Sequence, residues 1–361
     1  MSATPRTPSL ARVRRLDVPR LGRGIGRSGR WLVAGCVLGI ALLTGVMIGP
    51  AGLTASGVAL ELVNAIPGVT LDSGLTSQQQ AILWQIRLPR MVLGALVGAT
   101  LAVAGAAYQG VFRNPLADPY LLGVSAGAGL GATLAITQGG GIGPFGVPLA
   151  AFAGGLLAVS ATYALGASVG GHRSSTIIVL AGVAVAAFFS AVQTFVQQWF
   201  DDSLLAVYSW MLGRLSTNGW SDVIMVLPYV LASWVLLLLH RRTLDVLAVG
   251  DVEAASLGIN VPRVRLVLVL VATLGTTAVV AVSGLIGFVG IVVPHAVRLI
   301  FGTSHRLLLP LAMLFGAAFL VLADVAARSV VAPAELPIGV VTAFVGAPFF
   351  LVVLRRNRSM T

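Results

Sequence analysis

Long apolar segments separated by short polar breaks dominate the chain. They run at about 31–48, 83–108, 120–136, 147–168, 177–198, 223–240, 264–283, 288–301, 307–327 and 338–354. Most approach the roughly 20 residues that an α-helix needs to cross a hydrocarbon core. The pattern predicts an all-α polytopic membrane protein of about ten transmembrane helices, with residues 31–355 forming the membrane domain. The segment at 288–301, with Pro294-His295 inside it, is too short to cross a core of about 30 Å untilted and is expected to be shielded by neighbouring helices.

The stretch from Arg87 to Gly131 organises the rest. Arg87-Leu-Pro-Arg90 sits at the edge of the second apolar segment, where Pro89 suits the first turn of a helix because its missing N–H costs nothing there. The run breaks between Gln109 and Pro119. In this break Asn114-Pro115 and Asp118-Pro119 each set a turn-forming residue before a proline, which disfavours helix and fixes a reversal. Gly123, Gly127, Gly129 and Gly131, with Ser125, then give the returning helix small faces that other helices can approach closely.

Three polar connections carry further expectations. Leu53 to Gln80, with Glu61, Asp72 and Pro67, is expected outside the membrane, and Trp199 to Trp220 suits a short interfacial helix with an aromatic belt. Arg241 to Arg265 is the longest connection on its side. Its centre, residues 244–258, is mildly amphipathic and reads as two short helices with a break at Gly250 and a stop at Gly258. Either an inert surface loop or a docking element fits that pattern.

Composition settles the solvent. Hydrophobic residues make up 57% of the 361 and charged ones 10%, and the mean hydropathy is +0.96. No water-facing globular surface can be covered with so few charges. The net charge of +11 comes from 23 basic residues, all of them arginine. They lie at the ends of apolar segments, which reports topology and argues against nucleic acid. With the N-terminus inside, Arg87, Arg90, Arg214 and Arg328 fall outside and every other arginine falls on the cytosolic side, including those of Arg355-Arg-Asn-Arg358 at the C-terminus. Shifting the count by one span destroys this asymmetry, so a multi-pass protein of the plasma or inner membrane with both termini cytosolic is expected. Residues 1–30 hold eight arginines among Gly, Pro and Ser and read as a disordered cytosolic tail meeting anionic lipid headgroups. A signal peptide has a similar outline, but the tail is long for one and 31–48 is nearly long enough to span. Cys36, alone, can form no internal disulfide.

Catalytic chemistry is missing from the sequence. A G-x-x-x-x-G-K-[ST] phosphate loop needs a lysine, and the chain has none. His172, His240, His295 and His305 are scattered among different segments, with no H-E-x-x-H, so neither a metal site nor a cofactor is expected. Ionisable groups near spans are the functional candidates. Asp324 and Arg328, four apart, share a helix face and can pair. Arg87 and Arg90, three apart, also share a face. As cations at a helix start they oppose the macrodipole, which points either to an acidic partner outside or to snorkelling toward headgroups. Gly284-Leu-Ile-Gly-Phe-Val-Gly290 and Glu335-Leu-Pro-Ile-Gly339 lie beside short or broken spans, as in transporter pathways, although small residues also serve close packing.

Six of these stretches, in order, resemble the permeases of the iron-chelate and cobalamin uptake family, the membrane subunits of ATP-driven importers. They are Arg87-Leu-Pro-Arg90, Asn114-Pro-Leu-Ala-Asp-Pro119, Leu122-Gly-Val-Ser-Ala-Gly127, Leu180-Ala-Gly-Val183, Gly287-Phe-Val-Gly-Ile-Val-Val-Pro-His295 and Ala334-Glu-Leu-Pro-Ile-Gly339. The resemblance covers residues 84 to 355. It implies a homodimer, or a heterodimer with a second permease, of ten-helix subunits with the pathway along the two-fold axis. Two cytosolic ATPase subunits, which carry the ATP and Mg, would dock on the 244–258 coupling helices through Leu247, Gly250, Asp251, Glu253, Ala254, Leu257 and Gly258. An extracytoplasmic substrate-binding protein would place acidic residues on Arg87, Arg90 and Arg328. The inner gate would fall on Asn114, Leu116, Ser175 and Thr176. Gln193 and Gln197 are our own choice for the pathway wall. Ferric siderophore is the expected cargo, because Asp118-Pro-Tyr-Leu-Leu-Gly123 looks closer to siderophore members, with haem and cobalamin as alternatives. A proton-coupled secondary transporter using Asp324, and a receptor or scaffold without transport, are the readings from other classes.

Overall fold

A computed structural model describes residues 26–49, 52–139, 143, 145–169, 175–215 and 219–358. The described chain is helical, with no strand among the described residues. Residues 1–25 of the expected tail, and His172, lie outside this description. The first helix, α1 (Arg27–Met47), begins four residues before the apolar run, so Arg27 to Arg30 belong to the helix. After α2 (Ala55–Val63) comes α3 (Ser77–Ile82), whose N-terminus carries a full capping box between Thr76 and Gln79.

The helix does not start at Pro89. From α3 the chain runs through one π-turn, Leu83–Arg87, directly into α4 (Leu88–Phe112), giving 36 continuous helical residues. The wider π-turn absorbs the misfit around the proline, as the Leu88 N–H bonds back five residues to Leu83 O. Trp220 Nε1 donates to Trp84 O within the same turn. The macrodipole argument therefore lapses, because Arg87 and Arg90 stand about three turns or more inside a helix and not at its positive end.

The central element is α4. Of its most apolar stretch, 83% is buried, against 22% for α1. It packs chiefly on α14 (His305–Ser329), then on α12 (Val261–Ser283), α13 (Val289–Phe301) and α9 (Trp220–Leu239). Two crossings demand glycine: a Cβ on Gly98 would collide with Gly316 O of α14, and one on Gly105 with Gly290 O of α13. Backbones in contact at such points are how membrane helices gain packing where lipid supplies no hydrophobic drive.

A second layer comprises α5 (Val124–Thr137), α6 (Gly146–Ser168) and α7 (Ser175–Trp199). The return from α4 turns on Arg113 in the left-handed region (φ 50°), and a 3₁₀ turn at Pro119–Leu122 delays the start of α5 to Val124. The connection after α7 holds a 3₁₀ turn and α8 (Leu204–Met211), as its aromatic pattern predicts. Between α9 and α12 lie α10 (Arg241–Leu247) and α11 (Asp251–Ser256). Gly250 stands at the break and Gly258 just past the end at φ 81°, as expected. The chain closes with α15 (Ile338–Arg358).

At 13 residues, α13 spans about 20 Å and starts inside the bundle, after a non-helical run at 284–288 that ends on Phe288 in the left-handed region (φ 67°). Broken backbone at that depth needs partners. Gln109 Nε2 donates to Gly290 O at 3.1 Å, the Tyr120 hydroxyl donates to Ile286 O at 3.1 Å, and Ile286 N donates to that hydroxyl at 3.3 Å. Asp118 is buried beside them, its Oδ1 accepting from Tyr120 N at 2.9 Å.

Candidate functional site: two charged ends of one bundle

At one end the predicted arginines meet. Arg90, on α4, donates from Nε and Nη2 to Asp324 Oδ1 (3.0 and 2.8 Å), and from Nη1 and Nη2 to the two oxygens of Glu335 (3.0 and 2.9 Å). Asp324 also pairs with Arg328 four residues on, Nε to Oδ2 at 2.9 Å, so the local ion pair expected from spacing forms. Arg328 and Arg87 turn to the last carbonyls of α1. Arg328 donates to Ile48 O and Gly45 O, and Arg87 donates to Val46 O at 2.6 Å and Met47 O at 3.3 Å. The final turn of a helix has unsatisfied carbonyls and a partial negative charge, and two guanidinium groups supply both needs.

This end is not a bare positive surface. Arg87 is 6% exposed, and the Arg90 and Arg328 side chains are 14% and 10% exposed. Three cations face two acids, which leaves one net positive charge. Arg87 Nη2 is buried with no hydrogen-bond partner. A cavity of about 630 Å³ opens here, lined by Gln79, Arg87, Arg90, Asp324, Arg328 and Glu335 among others. Sequence reasoning missed Glu335 as a partner of Arg90 and missed the end of α1 altogether. The spacing rules for one helix carry no information about groups 245 or 41 residues apart in the chain.

At the other end of α4 stands the pair α10–α11. Asp251 accepts two bonds from Arg265 Nη2, both 3.0 Å, and pairs with Arg113 Nη2 at 3.2 Å. One carboxylate thus ties α11 to α12 and to the turn after α4. Asp245 of α10 caps the start of α14, accepting from His305 N (2.6 Å) and Ser304 Oγ (3.0 Å) and pairing with His305 Nδ1 (2.9 Å). Leu247 and Ala254, expected to meet a partner, are 2% and 0% exposed and instead anchor the two helices to the bundle. The outward residues include Glu253, Leu257 and Gly258 together with Val249 and Val252, the two valines being 70% and 80% exposed. The sequence reading passed over the valines because periodicity over six residues is too short to phase.

Asn114 and Leu116 lie in the turn after α4, where Asn114 Oδ1 accepts from Leu116 N at 2.9 Å, and both are exposed. Thr176 is exposed at the start of α7. Ser175 opens that helix, but its side chain lies outside the described residues. All four belong to the α10–α11 end. Gln193 does not face outward from α7. It is 5% exposed, donates to Met211 Sδ at 3.1 Å, and packs where Gly129 of α5 leaves room, while Gln197 is half-buried near the same sulfur. Thr194 and Gln198 are the polar residues on the outer face at that level.

With about 1.5 Å of rise per residue, Arg90 on α4 and Arg113 just past its end stand about 35 Å apart, so the two charged ends are separated by a membrane's thickness.

The FecCD transport family matches residues 37–356. The cobalamin import system permease protein BtuC of Halobacterium salinarum is 45% identical over 297 residues, covering 82% of this chain and 79% of that protein. The hemin transport system permease protein HmuU of Yersinia pestis is 41% identical over 300 residues, covering 80% and 88%. A solved structure described as an inward-facing conformation of an ABC transporter of the metal-chelate type superposes with a TM-score of 0.78 at 29% identity, covering 90% of this chain and 98% of that one.

Proposed function

Because the chain belongs to the FecCD transport family, made up of multi-pass translocation subunits that are not themselves enzymes, we propose that it imports ferric siderophore as a homodimer of ten-helix permeases worked by two cytosolic ATPases. The observation that carries this reading is the division of the bundle into two charged ends. Ten spans are supported by seven helices long and apolar enough to cross a membrane together with three shorter apolar ones among the described residues. The arginine distribution favours cytosolic termini and a cytosolic α10–α11.

In this reading the ATPases seat on α10–α11, with Val249, Val252 and Leu257 as apolar contacts. Asp251 and Asp245 pass the displacement to α12, α4 and α14. A substrate-binding protein docks on the arginine end, where its carboxylates displace Glu335 from Arg90. The second copy meets the outward face of α7, which exposes Leu180, Val183, Phe188 and Phe195, leaving Thr194 and Gln198 to the pathway. ATP-driven closure shifts the state only as far as the ATPases bind the two states differently. Siderophore is favoured by Asp118-Pro-Tyr-Leu-Leu-Gly123, while relatives named for cobalamin and hemin keep both as competing cargoes.

The secondary-transporter reading needs a titrating acid along the pathway. Asp324 is held between Arg90 and Arg328 at one end of the bundle, which suits a structural pair better than a proton carrier. In proteoliposomes holding the permease, its ATPase and its binding protein, ferric siderophore uptake is expected only with ATP. Uptake driven by a proton gradient with the permease alone would overturn the importer reading.

A further inference from the structure

At the α10–α11 end, α6, α7 and α12 leave a second cavity, of about 530 Å³. Its lining includes Tyr163, Ile178, Asn260, Arg263, Arg265 and Leu266. Two of its polar groups are buried and have no hydrogen-bond partner: Arg265 Nε and the Tyr163 hydroxyl. A buried donor without an acceptor is costly to keep. Arg265 is 3% exposed, and Asp251 takes only its Nη2. The first turn of α12 also opens here. Asn260 Oδ1 accepts from Arg263 N at 3.2 Å, and the exposed Arg263 side chain adds a second positive charge.

The surroundings of these cations are aliphatic. Ala164 and Ala167 on α6, Ile178 on α7 and Leu266 on α12 share the lining, and Leu266 is 38% exposed. All four sit within the first or last two turns of spanning helices. Two arginines, a phenol and a helix start, with an apolar rim, match a molecule that has an anionic head and hydrocarbon tails. A soluble anion would gain nothing from the rim.

We propose that this cavity binds the phosphate of an acidic phospholipid, received by Arg263, Arg265 and Tyr163, with the acyl chains along Ala164, Ala167, Ile178 and Leu266. The site depends on the chain lying in a bilayer and not on its cargo. Because Arg265 also holds Asp251, an occupied site fixes the guanidinium that ties α11 to α12 and makes that joint sensitive to the surrounding lipid.

The test is native mass spectrometry of the purified permease in detergent, titrated with phosphatidylglycerol or phosphatidylcholine. One phosphatidylglycerol is expected to bind at least tenfold more tightly than phosphatidylcholine. Arg263→Gln and Tyr163→Phe should each reduce that preference, and together they should remove about tenfold of it. Tyr163→Phe keeps the ring, and an unchanged melting temperature for each variant certifies the fold. Variants that keep the wild-type preference would overturn the site. So would inorganic phosphate competing as well as phosphatidylglycerol, which would make it a site for free anions.

Discussion

Arg90→Glu is expected to weaken docking of the substrate-binding protein on the assembled permease by at least 100-fold. Arg90 is the one guanidinium of the three that faces a displaceable acid. Glu335 is 51% exposed and sits on the connection after α14, whereas Asp324 is 6% exposed and shared with Arg328. An incoming carboxylate therefore exchanges with Glu335 at little structural cost. Breaking a desolvated charge pair costs about 3 kcal/mol, roughly the 100-fold stated. Glu335→Gln supplies the opposite sign. Without the internal competitor the net charge of the end rises by one, and docking should tighten by about tenfold at low salt and less at high salt. Affinity measured on permease in nanodiscs decides both. Unchanged affinity for Arg90→Glu removes it from the interface, and unchanged or weaker affinity for Glu335→Gln shows that Glu335 does not compete.

Val252→Asp is expected to abolish co-purification of the ATPase subunits while the permease still folds. Val252 is 80% exposed on α11 and contributes nothing to the bundle, yet burying a valine against a partner is worth about 1.5 kcal/mol, and burying a carboxylate there instead costs more. Ala254→Asp provides the contrast. Ala254 is fully buried, so that change should collapse α11 and lower the melting temperature of the permease itself. Retained association of the Val252→Asp permease would move the docking surface elsewhere.

Much of this architecture is legible in the sequence. Apolar segments long enough to span have few alternatives in a bilayer, and all ten coincide with apolar helices. The break at Gly250 and the stop at Gly258 were readable because both depend on local backbone chemistry. Pro89 misled for an equally local reason: a proline reads as a helix start unless a π-turn precedes it, and no residue pattern marks that turn. The partners of the arginines were hidden because Glu335 and the carbonyls at 45–48 come close only through packing. The inward turn of Gln193, our choice for the pathway wall, was hidden in the same way. The glycine opposite it, Gly129, makes an inward glutamine fit.

The two charged ends must lie on opposite faces of the membrane, and labelling tests this directly. In a Cys36→Ala background, Gln78→Cys, which lines the same cavity as Arg90, and Val252→Cys on α11 each give one exposed thiol. A membrane-impermeant maleimide added to right-side-out vesicles should label the first and spare the second, and inside-out vesicles should give the reverse. Labelling of both positions from the same face would contradict the reading of this chain as a conduit loaded at one end and driven from the other.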